Sequence, residues 1–196
     1  MGASPNIVGL VIAAGRSRRF GADKALAQIA GVSLLERSLA RLSPTCAAVA
    51  VNSPASLVLP VGVPRIEDIA QAPGGPLAGV LAGLRWAQRQ GADLLVTLPC
   101  DTPLLPDDLV RRLAEAAADR PCAVARTPSG VESLCAAWRA DMAEDLAARL
   151  AIGHPPVHAY LEAHRCAFVD YPDSAGFLNV NTPQDLAEAA RRIAEA

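Results

Sequence analysis

Ile7-Val-Gly-Leu-Val-Ile-Ala-Ala-Gly15-Arg16-Ser-Arg18-Arg19-Phe-Gly21-Ala-Asp23-Lys24 is the stretch whose reading decides the fold. Its first seven residues, Ile7 to Ala13, are apolar on both faces. That is the pattern of a central parallel strand covered by helices on both sides. The chain then turns small and glycine-bearing, and after that basic. Small residues let backbone approach a ligand closely, and successive N–H groups form a nest for an anion. Arg18, Arg19 and Lys24 add positive charge where a triphosphate would sit. The spacing is neither that of a Walker A loop nor that of a dinucleotide-binding G-x-G-x-x-G. The same residues also suit a solvated basic loop between a strand and a helix.

Outward from this strand, apolar runs alternate with helical patterns. Ser33-Leu-Leu-Glu36 is a capping box that opens a helix through about Leu42. Cys46 to Val51 predicts the next strand, ending at Asn52. A segment rich in proline and glycine, Pro60 to Gly79, carries a short strand near Arg65 to Glu67 and leads into a helix reaching about Gln90. Asp93 to Leu98 is another buried strand, followed by Pro99. Pro106, with Asp107 and Asp108 after it, reads as a helix start. Cys122 to Arg126, Ser133 to Trp138 and Cys166 to Asp170 are strand-like. A helix is expected near Asp141 to Ala151, and Thr182 caps a last amphipathic helix. The order predicts an α/β fold: a three-layer, Rossmann-like, doubly wound and mostly parallel sheet, in one domain over 1–196.

Composition narrows the function classes. The 196 residues are 52% hydrophobic and 19% charged, with aromatics at 4%. This excludes disorder as a description of the whole chain. A formal charge of −2 gives no global pull toward nucleic acid or anionic membrane. The apolar run Ile7 to Ala14 is too short to span a bilayer and lacks a signal-peptide layout. The five cysteines, Cys46, Cys100, Cys122, Cys135 and Cys166, form no C-x-x-C pair. They read as reduced, mostly buried thiols of a cytoplasmic protein.

Ligands of such sheets bind beyond the carboxyl ends of the strands. Three more segments fall there. Asp101, in Cys100-Asp101-Thr102-Pro103, follows a strand directly, as magnesium-binding carboxylates often do; it equally fits a turn before the next helix. Glu67-Asp68 and Pro73-Gly74-Gly75-Pro76-Leu77-Ala78-Gly79 suit a flat base against backbone, or an ordinary loop into a helix. Asn179 and Asn181, in Phe177-Leu178-Asn179-Val180-Asn181-Thr182-Pro183, alternate along an extended segment, so both amides point one way. A turn ahead of the helix cap would also use Asn181.

Taken in order, these segments resemble the molybdenum-cofactor guanylyltransferase family. The first motif is shared with many sugar-phosphate and cofactor nucleotidyltransferases. Gly75-Pro-Leu-Ala-Gly79 and Asn179-Val-Asn-Thr-Pro183 are more specific. The similarity runs from about Gly9 to the final helix.

The resemblance implies transfer of GMP from GTP to molybdopterin, with Mg²⁺ as cofactor. It implies that Ile12, Ala13, Ala14 and Gly15 line the nucleotide and that Lys24 meets its phosphates, with Arg18 and Arg19 offsetting charge. Asn52 and Asp68 would hold the guanosine beside Pro76, Leu77 and Gly79. Asp101 would bind Mg²⁺, with Asn179 and Asn181 near the metal and the acceptor phosphate. Proteins that deliver the cofactor or chaperone its recipient enzymes are the implied partners. The competing expectations are cytidylyl transfer from CTP, a GTP-binding regulator without catalysis, and a zinc site on His154, His158 and His164. Cys100 reads as a packed thiol rather than a nucleophile. No residue is assigned to the pterin.

Overall fold

A computed structural model describes residues 5–13, 24–69 and 75–195. Strand β1 (Ile7–Ile12) lies in the interior of a seven-stranded sheet. After it come a 3-10 turn (Lys24–Leu26), the small hairpin β2 (Gln28–Ile29) and β3 (Val32–Ser33), and helix α1 (Leu34–Leu42). Then follow β4 (Ala48–Asn52), β5 (Arg65–Ile66), α2 (Pro76–Arg89), β6 (Leu94–Pro99) and α3 (Leu109–Ala116). The chain continues through β7 (Cys122–Thr127), β8 (Gly130–Arg139), α4 (Ala143–Ile152), α5 (Val157–Ala163), β9 (Ala167–Asp170) and α6 (Pro183–Glu195).

The large sheet has the order β5-β4-β1-β6-β8-β7-β9. β1 pairs in parallel with β4 and β6, β4 with β5, and β7 with β9. Only β8 runs against its neighbours. The mostly parallel α/β architecture read from the sequence is thus the observed one. Alternation along the strands fills two cores. Val8, Leu10 and Ile12 of β1 and Leu95 of β6 meet α2, α4 and α5 on one face. Val11, Leu94, Val96 and Leu98 meet α1 and α3 on the other. A third, smaller cluster seats α6 on the β2–β3 hairpin through Ala189, Ile29, Leu34 and Val180.

Local chemistry sets the element ends. The Glu36 N–H donates to Ser33 Oγ at 3.1 Å, and the Ser33 N–H donates back to Glu36 Oε2 at 2.8 Å. The Ser33 hydroxyl, which donates to Glu36 Oε2 at 2.6 Å, and the Ser33 N–H hold the Glu36 carboxyl below the usual range. Ser33→Ala should therefore cost about 1 kcal/mol, read as a lower urea midpoint with an unchanged slope.

Three expectations are corrected. Helix α3 begins at Leu109, with Asp108 at its N-cap, rather than at Pro106; Asp107 and Asp108 lie in the turn ahead of it. Helix α5 was unforeseen, because Pro155-Pro156 reads as a break, yet proline just ahead of a first turn is compatible with helix entry. Cys122 and Cys166 form a disulfide, so these two are not thiols. The parallel register of β7 and β9 pairs Ala123 with Ala167, which sets the preceding cysteines side by side with Cα atoms 4.7 Å apart. The 44 residues between them conceal that adjacency in the sequence. Cys46 and Cys135 remain thiols, and burial pushes both upward in pKa, Cys46 to about 12. No helix among the described residues is long and apolar enough to cross a membrane.

Candidate active site

The carboxyl ends of β1 and β6 open onto one cavity of about 490 Å³, with Asp68, just past β5, on its edge. The sheet's connectivity reverses at β1, where the chain leaves toward β4 on one side and returns as β6 on the other. A doubly wound sheet has its natural crevice there. Ile12 and Ala13 form the floor at the end of β1. The Ala13 N–H donates to the Asn52 carbonyl, and the Cys100 N–H to the Ile12 carbonyl, so three strand ends are tied at one level.

Lys24, on the 3-10 turn, reaches across this floor. Its Nζ donates to Asp101 Oδ2 at 2.7 Å and to Asn181 Oδ1 at 2.8 Å. The Lys24 side chain is 10% exposed and that of Asp101 24%. A burial this deep needs a paired ammonium, and the pair joins residues 77 positions apart. Asp101 Oδ1 accepts no hydrogen bond among the described residues.

Asn179 and Asn181 both line the cavity, while Val180 between them is buried in the third core cluster. The segment is held at both ends. The Val180 N–H donates to the Asp101 carbonyl at 2.8 Å. The Asp185 carboxylate accepts from the Asn181 and Thr182 N–H groups at 2.9 and 2.8 Å, and these bonds lower its pKa. The amides of Asn179 and Asn181 are thereby placed beside Asp101.

At the β5 side, Asp68, Gly75 and Pro76 line the cavity. Asn52 stands behind Asp68 instead of on the wall. Its side chain is fully buried, and its Nδ2 donates to the Ile66 carbonyl at 3.0 Å and to Asp68 Oδ1 at 2.8 Å. Gly79 lies directly under Asn52, close enough that any Cβ would overlap Oδ1. Leu77 is fully buried in the α2 core and lies off the wall. Gly75 has φ of 135°, and a Cβ there would lie 2.7 Å from His154 Cε1, so this helix entry requires glycine.

The zinc arrangement does not form. His154 packs on Gly75, whereas His164 bonds the Tyr160 carbonyl and Asp145. No group of three metal-binding His, Cys, Asp or Glu side chains occurs among the described residues. Ala14, Gly15, Arg18 and Arg19 lie outside the described residues. The opposite wall was not foreseen: Glu132, Ser133, Leu134 and Cys135 of β8 complete the cavity. Glu132 is the one charged residue in Val131-Glu-Ser-Leu-Cys-Ala-Ala-Trp138, and that isolation was its available signal.

Residues 9–167 match the family model described as a MobA-like NTP transferase domain. The chain belongs to the molybdenum cofactor guanylyltransferase family. It is 42% identical over 186 residues to the molybdenum cofactor guanylyltransferase of Cereibacter sphaeroides, covering 93% of this chain and 95% of that one. The enzyme of the same name from Burkholderia lata is 40% identical over 204 residues, covering 97% and 98%. Among solved structures, molybdopterin-guanine dinucleotide biosynthesis protein A from Archaeoglobus fulgidus superposes with a TM-score of 0.74. That match covers 97% of this chain and 100% of the other at 22% identity, and it supports the shared fold. As a member of this family the chain is a nucleotidyltransferase, and GTP is the substrate its family name carries.

Proposed function

We propose that this single domain transfers GMP from GTP to the terminal phosphate of molybdopterin. The carrying observation is the convergence of Lys24, Asp101 and Asn181 between Asp68 on one wall and β8 on the other. An acceptor phosphate oxygen attacks the α-phosphorus of GTP. The bond from that phosphorus to the bridging oxygen breaks, and pyrophosphate leaves with the electron pair. A phosphate monoester is already largely ionised at pH 7, so no general base is needed. Positioning and charge neutralisation supply the catalysis.

Each residue has a task in this reading. Lys24 exchanges its contact with Asp101 for the phosphates of GTP. Asn179 and Asn181 orient the acceptor phosphate. The Asp68 carboxylate, steadied by Asn52, accepts from the N1–H and 2-amino group of guanine, a donor pair that cytosine lacks. Ala14 and Gly15 approach the nucleotide, and Arg18 and Arg19 offset charge on pyrophosphate. The donor set also suits Mg²⁺: Asp101 offers one carboxylate, flanked by amide oxygens, and Mg²⁺ uses one or two carboxylates with phosphate oxygens and water. When bound, it supplies Lewis-acid polarisation of the phosphate oxygens. Because the donor is GTP, we place the protein in the cytoplasm, served by proteins that deliver and receive the cofactor.

Pyrophosphate release with Mg²⁺ and molybdopterin, offering GTP, CTP and ATP separately, tests the assignment. Release with GTP alone is expected. A preference for CTP would transfer the reading to cytidylyl chemistry, and binding of GTP without release would make the chain a regulator.

A further inference from the structure

The pairing of β8 with β7 is interrupted where β8 borders the cavity. On β7, the successive residues Val124 and Ala125 pair with Ala136 and Glu132, so Ser133, Leu134 and Cys135 have no partner on that strand. Bulges re-aim side chains next to active sites. This one is supported from below. The buried Thr97 hydroxyl donates to the Leu134 carbonyl at 2.8 Å, and Trp138 Nε1 donates to Thr97 Oγ1 at 2.9 Å. Glu132 and the three bulged residues then form the cavity wall opposite Asp68.

Glu132 is a half-buried carboxylate with no cationic partner among the described residues. Its Oε1 accepts from Thr127 Oγ1 at 3.2 Å, and Oε2 has no partner among them. Burial raises its pKa, the Thr127 hydroxyl offsets only part of that rise, and no cation among the described residues compensates the rest. A ligand presenting two adjacent N–H donors would compensate it. In sheet order, β5 with Asp68 and β8 with Glu132 are four strand positions apart, roughly 19 Å at about 4.8 Å per strand. Asp101 lies between them at the end of β6.

We propose that Glu132 reads the pterin of the acceptor, its carboxylate accepting from the ring N3–H and 2-amino group. Guanine and pterin share this amino-pyrimidinone edge, so the cavity carries one carboxylate for each end of the product. Leu134 gives the ring an apolar wall. This inference rests on the proposed acceptor and adds the residue that selects it.

The probe is pterin fluorescence, quenched on binding, with lumazine as comparison; lumazine carries an oxygen in place of the 2-amino group. The wild-type protein should bind pterin at least tenfold more tightly than lumazine, whereas Glu132→Gln should bring the two within about twofold. Its melting temperature and GTP affinity should match the wild type. In turnover the acceptor KM should rise at least tenfold, with the GTP KM unchanged. Retained pterin preference in Glu132→Gln, or no preference in the wild type, would overturn the inference. So would a shifted Mg²⁺ dependence at constant acceptor KM, which would make Glu132 a metal ligand. Failure of the wild type to transfer GMP would instead sink the proposed reaction, and the pterin measurement distinguishes the two failures.

Discussion

Asp101→Ala is expected to lower kcat for GMP transfer by about 10²–10³-fold, comparable to removal of one preorganised electrostatic stabiliser. Two roles end together in this variant. The carboxylate at the end of β6 lines the cavity with Asn179 and Asn181, so under the proposed mechanism the site loses its anionic ligand for Mg²⁺. Lys24 also loses its partner and keeps only Asn181 Oδ1 among the described residues, although its side chain is 10% exposed. The freed ammonium can still meet a triphosphate, so GTP affinity should change much less than turnover. Steady-state kinetics across a Mg²⁺ titration, with GTP binding measured by calorimetry, checks this. Near-full turnover with the wild-type Mg²⁺ dependence would remove Asp101 from the mechanism.

Gly79→Ala should raise the GTP KM tenfold or more and cost about 1–3 kcal/mol of stability, the usual range for overpacking. Alanine favours the helix by about 1 kcal/mol, so propensity alone predicts stabilisation. Packing overrides it here. The new methyl overlaps the Asn52 amide, and Asn52 is fully buried with no solvent to swing into. To clear the methyl, Asn52 must give up its bonds to the Ile66 carbonyl and Asp68, and Asp68 then loses its orientation toward the base. Coupling can be measured directly. Adding Gly79→Ala to Asn52→Ala should cost no further stability, while the GTP KM stays high, because the clash is gone but the Asp68 support is still missing. Additive destabilisation in the double variant would place the strain elsewhere.

The parts of the structure that were legible in the sequence are those governed by short-range rules. The both-faces-apolar run at Ile7, the Ser33–Glu36 box and the Asn179/Asn181 alternation each encode their geometry within a few residues. Each is found where that geometry requires. Asp101 was legible because it ends a buried strand, and the crevice rule gives such a position meaning. What escaped depends on register across the sheet. The Lys24–Asp101 bond, the Cys122–Cys166 disulfide and the Glu132 wall all join residues that only strand order makes neighbours. The motif Gly75-Pro-Leu-Ala-Gly79 suggests that all its members face the nucleotide. A helix separates them by about 100° per residue, so Pro76 reaches the cavity while Leu77 enters the core and Gly79 backs Asn52.

The central claim is that the α-phosphate of GTP ends up on the acceptor. The most direct measurement follows GTP labelled at that phosphate through incubation with Mg²⁺ and molybdopterin, separating nucleotide from pterin products. Label in a pterin-guanine dinucleotide, matched one for one by pyrophosphate and abolished in Asp101→Ala, is the predicted result. Label recovered only in GTP or in free GMP, with the acceptor unlabelled, would contradict the account.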